Sequence, residues 1–241
     1  MKDTMKVTRI FQNQPLQIGE IFNLDDEGYK HIKATRRKVG DELIIFNGNG
    51  HDHCSKILEI KKNCQLEVMS VNENHSESKC HIHLAQCIGK GEKMDLIIQK
   101  AVELGVKKIT PIISERVVVK INEKNHAKKI DHWKKIIISA CEQSNRSVIP
   151  ELSPIETLDN FFQQHDGNGI ILDPESKTRL GDIDELNNVT LLIGPEGGFS
   201  DREIRLSHQA NFKGISLGKR ILRMETASIA SLSNCQLLWG S

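Results

Sequence analysis

A chain of 241 residues with 33 Lys and Arg against 32 Asp and Glu, and only 4% aromatic residues, has the length for one large domain or two modest ones with ample core. No run approaches the roughly 18 apolar residues that a membrane span needs, and the lack of a signal peptide predicts a cytoplasmic protein whose six cysteines are reduced thiols. The net charge of +1 hides a division: residues 79–146 hold 14 basic and 7 acidic side chains, residues 147–241 hold 8 and 13. A basic middle favours a polyanion such as nucleic acid, although lysines on solvated helix faces give the same excess.

Residues 7–11 and 17–22 alternate as strands. Residues 42–46 run into Asn47-Gly48-Asn49-Gly50, a hairpin signal, so 51–60 returns as the partner strand and 65–71 makes another. Between them, residues 25–38 predict a helix ending in Lys30, Lys33, Arg36, Arg37 and Lys38. With Arg9, that cluster is either a phosphate-contacting surface or an ordinary solvated face. Residues 72–79 lack apolar anchors and predict a linker, which sets domains at 1–74 and 75–241.

From Cys80 onward, strands alternate with helices. The expected order is strand 81–87, helix 94–104 closed by Gly105, strand 109–113 and a long helix 125–144. That long helix places Ile130, Trp133, Ile137, Ala140 and Cys141 on its apolar side, with Lys124, Lys128 and Lys135 elsewhere. Ser153-Pro154-Ile155-Glu156 reads as a capping box that opens a helix to about 164, and 169–172 is a strand ending at Asp173-Pro174. Strands 189–193 and 215–217 each break into a loop with glycine at its first turn; Ser200 and Glu203 form a second capping box, and helix 226–238 closes the chain. Such alternation predicts an α/β fold, a parallel sheet covered by helices, with ligands at the carboxyl ends of the strands.

In Gly194-Pro195-Glu196-Gly197-Gly198 the glycines permit close backbone approach to a small molecule. Gly89-Lys90-Gly91-Glu92-Lys93 lacks the Lys-Ser/Thr ending of a P-loop, so it is a strand-to-helix turn or a basic lip over RNA. No G-x-G-x-x-G follows a strand, which disfavours nicotinamide and flavin cofactors. His51 with His53, and His81 with His83, lack a second pair at zinc-ligand spacing. There is no G-x-S-x-G elbow, and no cysteine has a nucleophile's context. The polar run Glu142-Gln143-Ser144-Asn145-Arg146 is a helix end meeting water, or it aims Gln143 and Arg146 into a cleft; Arg116 presents the same choice.

Gly194-Pro195-Glu196-Gly197-Gly198-Phe199-Ser200, followed by Leu217-Gly218-x-Arg220-Ile221-Leu222-Arg223-x-Glu225-Thr226-Ala227, resembles the signature of the RsmE family, which methylates N3 of a uridine in 16S ribosomal RNA of the small ribosomal subunit. The likeness extends through Lys90-Gly91-Glu92-Lys93-Met94, Ser114-Glu115-Arg116, Ala140-Cys141-Glu142-Gln143-Ser144-x-Arg146 and the N-terminal Arg9-Ile10-Phe11. It departs at Lys219, where the family pattern has proline. The resemblance implies a SPOUT-type sheet with a C-terminal trefoil knot, a small N-terminal PUA-like β-barrel domain, S-adenosyl-L-methionine as cofactor, no metal, and a homodimer.

The cofactor residues it implies are Leu172, Ile193, Gly194, Glu196, Gly197, Gly198, Leu217, Gly218, Ile221, Leu222 and Thr226. Uridine N3 is a weakly acidic imide whose anion spreads charge onto the flanking carbonyl oxygens, and a cation aimed there stabilises it. Arg223 is expected in that role, with Glu225 or Glu196 accepting or orienting the proton; the bland alternative is that Arg223 and Glu225 simply pair at a helix start. Arg9, Lys33, Arg36, Lys38, Lys90, Lys93, Arg116 and Arg146 are expected toward RNA. Rival readings are a SPOUT ribose 2′-O-methyltransferase and a non-enzymatic RNA-binding assembly factor.

Overall fold

The structure, a computed structural model, describes residues 7–117 and 125–240; Lys124, named above, lies outside them. These residues fall into two units, one reaching to Glu77 and including Cys141–Ile149, the other comprising Ser78–Ala140 and the chain from Pro150.

The first unit holds β1 (Arg9–Phe11), β2 (Ile21–Asn23), α1 (Asp26–Ala34), β3 (Glu42–Phe46), β4 (His51–Ile60) and β5 (Cys64–Glu73). The strands lie in the order β1-β3-β4-β5-β2, with β1 parallel to β3 and the other pairs antiparallel. Gly48 and Gly50 carry the β3–β4 turn with φ of 90° and 87°, which a side chain would resist. The helix is shorter than its charge pattern suggests. Arg36 takes a left-handed φ of 54° and ends it, so Arg36 and Lys38 lie beyond α1. Asp25 caps the other end through the N–H of Gly28 at 2.8 Å. Ile10, Ile32, Leu43, Ile45, Ile57 and Leu66 fill the core beneath the sheet. Cutting one of them to alanine costs about 2–5 kcal/mol.

The second unit contains β6 (His81–Cys87), α2 (Lys93–Glu103), β7 (Lys108–Ile113), most of α3 (His126–Ser144), β8 (Glu151–Leu152), β9 (Glu156–Thr157), α4 (Leu158–Gln164), β10 (Gly169–Leu172), β11 (Asn188–Ile193), α5 (Asp201–Gln209), β12 (Phe212–Ile215) and α6 (Met224–Trp239). Its strands run β12-β10-β11-β6-β7-β8, with β9 also on β7, and every pair is parallel. The central β6 and β11 are apolar on both faces, with Ile82, Leu84, Ala85 and Cys87 beside Val189, Leu191, Leu192 and Ile193, all buried.

Two expectations change here. The capping box at Ser153 does not open a helix, because the N–H of Ser153 bonds to Ile109 and Glu156 pairs with Ile112, committing this backbone to the edge of β7. Thr157 caps α4 instead. The last strand ends at Ile215, so Leu217 lies in the following loop. The capping box at Ser200 and Glu203 forms as expected and starts α5. Because all strands run one way, the residues after Cys87, Ile113, Leu172, Ile193 and Ile215 emerge at one edge of the sheet.

Candidate active site

Three of these connections converge on Lys93, the first residue of α2. Its Nζ lies 2.9 Å from Glu196 Oε1 in the loop after β11, and 3.9 Å from Glu225 Oε2 in the first turn of α6. Glu196 also accepts the N–H of Lys90 at 3.3 Å. Burial pushes the Glu196 carboxyl up, but the hydrogen bonds from Lys93 and Lys90 and the charge of Lys93 outweigh it and hold the group below the usual carboxylate range. Glu225 Oε2 is buried and accepts no hydrogen bond. A buried acceptor without a donor is costly unless something else fills the gap.

The glycine loops frame this cluster. The Arg116 guanidinium donates from Nη1 to the carbonyl of Gly197 at 3.0 Å, tying the loop after β7 to the loop after β11. Glu203 reinforces that tie: one buried oxygen accepts from the N–H of Glu115, the other from Ser200. Gly198 and Gly218 have left-handed φ of 67° and 113°, and a Cβ at either would meet no atom within 4 Å. Both loops therefore turn bare backbone toward open space. Gly89 differs, since a Cβ there would come within 2.1 Å of Met224 Cε, so the loop after β6 and the start of α6 touch through the missing side chain.

The cofactor residues expected from sequence lie in these loops or at strand ends, apart from Thr226, which is in the first turn of α6. Ile193 is the buried last residue of β11, and Leu172 the half-buried last residue of β10. Gly194 lies against the Phe199 ring, while Leu217, Gly218 and Leu222 are half-buried, Gly197, Gly198 and Thr226 are exposed, and Ile221 is 89% exposed. Arg223 is exposed at the N-cap of α6 and makes no ion pair among the described residues; Glu225 faces Lys93 rather than Arg223.

Among the residues expected toward RNA, Lys33, Arg36, Lys38, Lys90 and Arg116 are exposed. Two are corrected. Arg9 is 4% exposed and its guanidinium bonds to both Asp52 oxygens, at 2.9 and 3.1 Å, and to Ser147 Oγ at 2.6 Å; Arg146 is 3% exposed against Glu77 at 2.8 Å. These arginines are internal ties of the first unit. Sequence reading also missed Gln86, a polar residue in an otherwise apolar strand, which accepts from Ser228 of α6 at 2.7 Å. Its polarity amid Leu84, Ala85 and Cys87 was the available signal.

Beside the Gly89–Gly91 loop opens a cleft of about 360 Å³ lined by Met94, Asp95, Lys128, Lys129, His132 and Trp133. His132 Nε2 lies 2.7 Å from Asp95, whose other oxygen accepts the Trp133 indole N–H at 3.2 Å. Burial pushes the thiols of Cys87 and Cys235 up to about 12, leaving them poor nucleophiles. Among the described residues no three His, Cys, Asp or Glu gather as a metal site, and no helix is long and apolar enough to cross a membrane.

Residues 76–236 match the family described as an RNA methyltransferase domain, and 24–69 the RNA methyltransferase PUA domain. Together with the parallel sheet and its loops, this defines the class: an RNA methyltransferase with a SPOUT-type α/β domain and a PUA-like domain. The chain is 39% identical to ribosomal RNA small subunit methyltransferase E of Buchnera aphidicola from Schizaphis graminum, over 98% of each chain, and 35% identical to its counterpart from Acyrthosiphon pisum, over 98% and 95%. A putative methyltransferase of Legionella pneumophila solved in complex with SAM is 42% identical with a TM-score of 0.94, covering 98% of this chain and 99% of that one. The ribosomal RNA small subunit methyltransferase E of Neisseria gonorrhoeae bound to S-adenosyl methionine is 33% identical with a TM-score of 0.92, covering 97% and 98%. The chain belongs to the ribosomal RNA small subunit methyltransferase E family.

Proposed function

We propose that this protein transfers a methyl group from S-adenosylmethionine to N3 of a uridine in 16S ribosomal RNA of the small ribosomal subunit, as a cytoplasmic homodimer. The observation that carries this reading is a buried carboxylate oxygen without a donor, on Glu225 in the first turn of α6, 3.9 Å from the lysine that holds the glycine-bearing loop after β11 through Glu196. The full-length likeness to proteins named ribosomal RNA small subunit methyltransferase E, one of them solved with S-adenosyl methionine, and to a putative methyltransferase solved with SAM, supports it.

The open backbone at Gly198 and Gly218 fits a cofactor gripped by main chain; main-chain atoms of Leu172, Gly194, Gly197, Leu217, Ile221 and Leu222 would hold its adenine and ribose, with Ile193 and Thr226 also at the cofactor. When bound, S-adenosylmethionine supplies a methyl carbon whose bond to sulfur breaks, the electron pair staying on sulfur, as its bond to N3 forms. The protein's own task is the N3 proton and the charge it leaves behind. Glu225 is the acceptor, because Glu196 is already engaged by Lys93 and Lys90. Arg223 supplies the cation for the flanking carbonyl oxygens. Lys33, Arg36 and Lys38 in the first unit, and Lys90 in the second, are the exposed cations for RNA phosphates. The trefoil knot belongs where the chain after Leu217 threads behind the loop that begins near Gly194; the crossing from β11 beyond β10 to β12 and the packing of α6 on β11 support it.

Purified protein given methyl-labelled S-adenosylmethionine with naked 16S ribosomal RNA, and separately with small subunits, is expected to label at least one of them. Label in neither ends this reading.

A further inference from the structure

Lys93 stands apart from the other lysines expected at RNA. It is the first residue of α2, at the positive end of the helix dipole, where a cation is disfavoured. Its side chain is 34% exposed, whereas the solvated pair of Lys30 and Glu27 leaves its lysine 69% exposed. Two carboxylates from different connections lie within 4 Å of its nitrogen, and the nearer, Glu196, is gripped a second time by the N–H of Lys90. The farther, Glu225, has its Oε2 buried without a donor, because 3.9 Å exceeds hydrogen-bond range. An ammonium held this way is not presented to a phosphate. Lys90, three residues earlier and exposed, is the group free to meet one.

We propose that Lys93 is a positioning residue of methyl transfer: its ammonium pins the Gly194–Gly198 loop through Glu196 while facing Glu225, so one cation aligns the cofactor half of the site with the base half. The proposal builds on the methyltransferase reading above. If Lys93 were lost, Glu196 would keep only backbone N–H donors, its own and that of Lys90, and the loop whose bare backbone holds the cofactor would lose its side-chain anchor to α2. The two carboxylates would also face each other without an intervening cation, displacing Glu225 from its place at the base.

Wild-type turnover on ribosomal RNA tests the underlying reading; Lys93 variants test this inference separately. Lys93→Met is expected to lower kcat on the order of 10- to 100-fold through misplacement of the reacting groups and to weaken S-adenosylmethionine binding in calorimetry, while leaving the salt dependence of RNA binding unchanged. Lys93→Arg, which keeps the charge, should recover most of the turnover. Glu196→Gln should lower kcat similarly, and Lys93→Met with Glu196→Gln should be no worse than the more damaging single change, since both remove one link. The opposite pattern overturns the proposal: kcat retained with a raised KM for RNA and a shallower salt slope would make Lys93 a phosphate contact, and multiplying losses in the double variant would make the two residues independent.

Discussion

Both units enclose charged side chains, and they treat them differently. In the first, Asp52 receives both terminal nitrogens of Arg9, the Ser147 hydroxyl and the amide of Asn74. Burial pushes the Asp52 carboxyl up, yet these bonds and the Arg9 charge hold it below its ordinary value. In the second, a single lysine serves two carboxylates and leaves one oxygen unmet, at an edge where the backbone opens to space. The Asp52 carboxylate is saturated, although Arg9 Nε stays buried without a partner, so the first cluster stabilises one arrangement and has no acceptor to spare. An unsaturated cluster retains an acceptor that a substrate can complete. The family resemblance groups Arg9, Arg146 and Lys93 as cations for RNA, and their surroundings separate them.

The contrast breaks most visibly at Arg9. Removing the guanidinium leaves Asp52 enclosed without its counter-charge, so Arg9→Ala is expected to cost about 3–5 kcal/mol, read by denaturant unfolding; a loss below about 1 kcal/mol, as at exposed pairs, would show that Asp52 does not depend on that counter-charge. Arg223→Ala should leave stability and S-adenosylmethionine binding nearly intact while lowering kcat about 10²- to 10³-fold. Unchanged turnover would remove Arg223 from the chemistry.

His83, at the amino end of β6, tests a sheltered group in the second unit away from the open edge. Burial, helped by the charge of Lys108, depresses its pKa from 6.5 to about 4, so the folded state holds it neutral. The unfolded chain takes the proton first, so this stability is complete above about pH 6.5 and declines as pH falls toward 4, by on the order of 3 kcal/mol. Thermal unfolding across that window should show the decline in the wild type and a flatter profile in His83→Gln. The smallest effect belongs to Lys33, exposed and lying over the Tyr29 ring: Lys33→Ala should change stability by less than about 0.5 kcal/mol and reduce the salt slope of RNA binding by about 1.

Strands 51–60, 81–87 and 169–172 were legible to the residue, because alternation or an unbroken apolar run bounded by polar turns leaves little choice of register. Boundaries were lost where tertiary pairing or a left-handed residue decided them, as at Arg36 and along 151–157. The glycine loops could be read as a ligand site because glycine's backbone freedom is a property of the residue itself. What Lys93, Arg9 and Glu203 do could not be read that way. Their partners lie far away in sequence, at Glu196, Ser147 and Glu115, and are brought near by strand order and chain path, which no local pattern encodes. Glu203 shows the boundary well. Its capping of Ser200 is a local signature, whereas its second oxygen on Glu115 is a consequence of the fold.

On the proposed mechanism, Glu225 and Arg223 act on a uracil imide and not on a ribose hydroxyl. Methylated ribosomal RNA should be digested to nucleosides and the position of the transferred methyl determined by mass spectrometry. 3-Methyluridine, lost together with turnover in Arg223→Ala, is the expected product; a methyl on the ribose 2′ oxygen would rule out uracil N3 as the target.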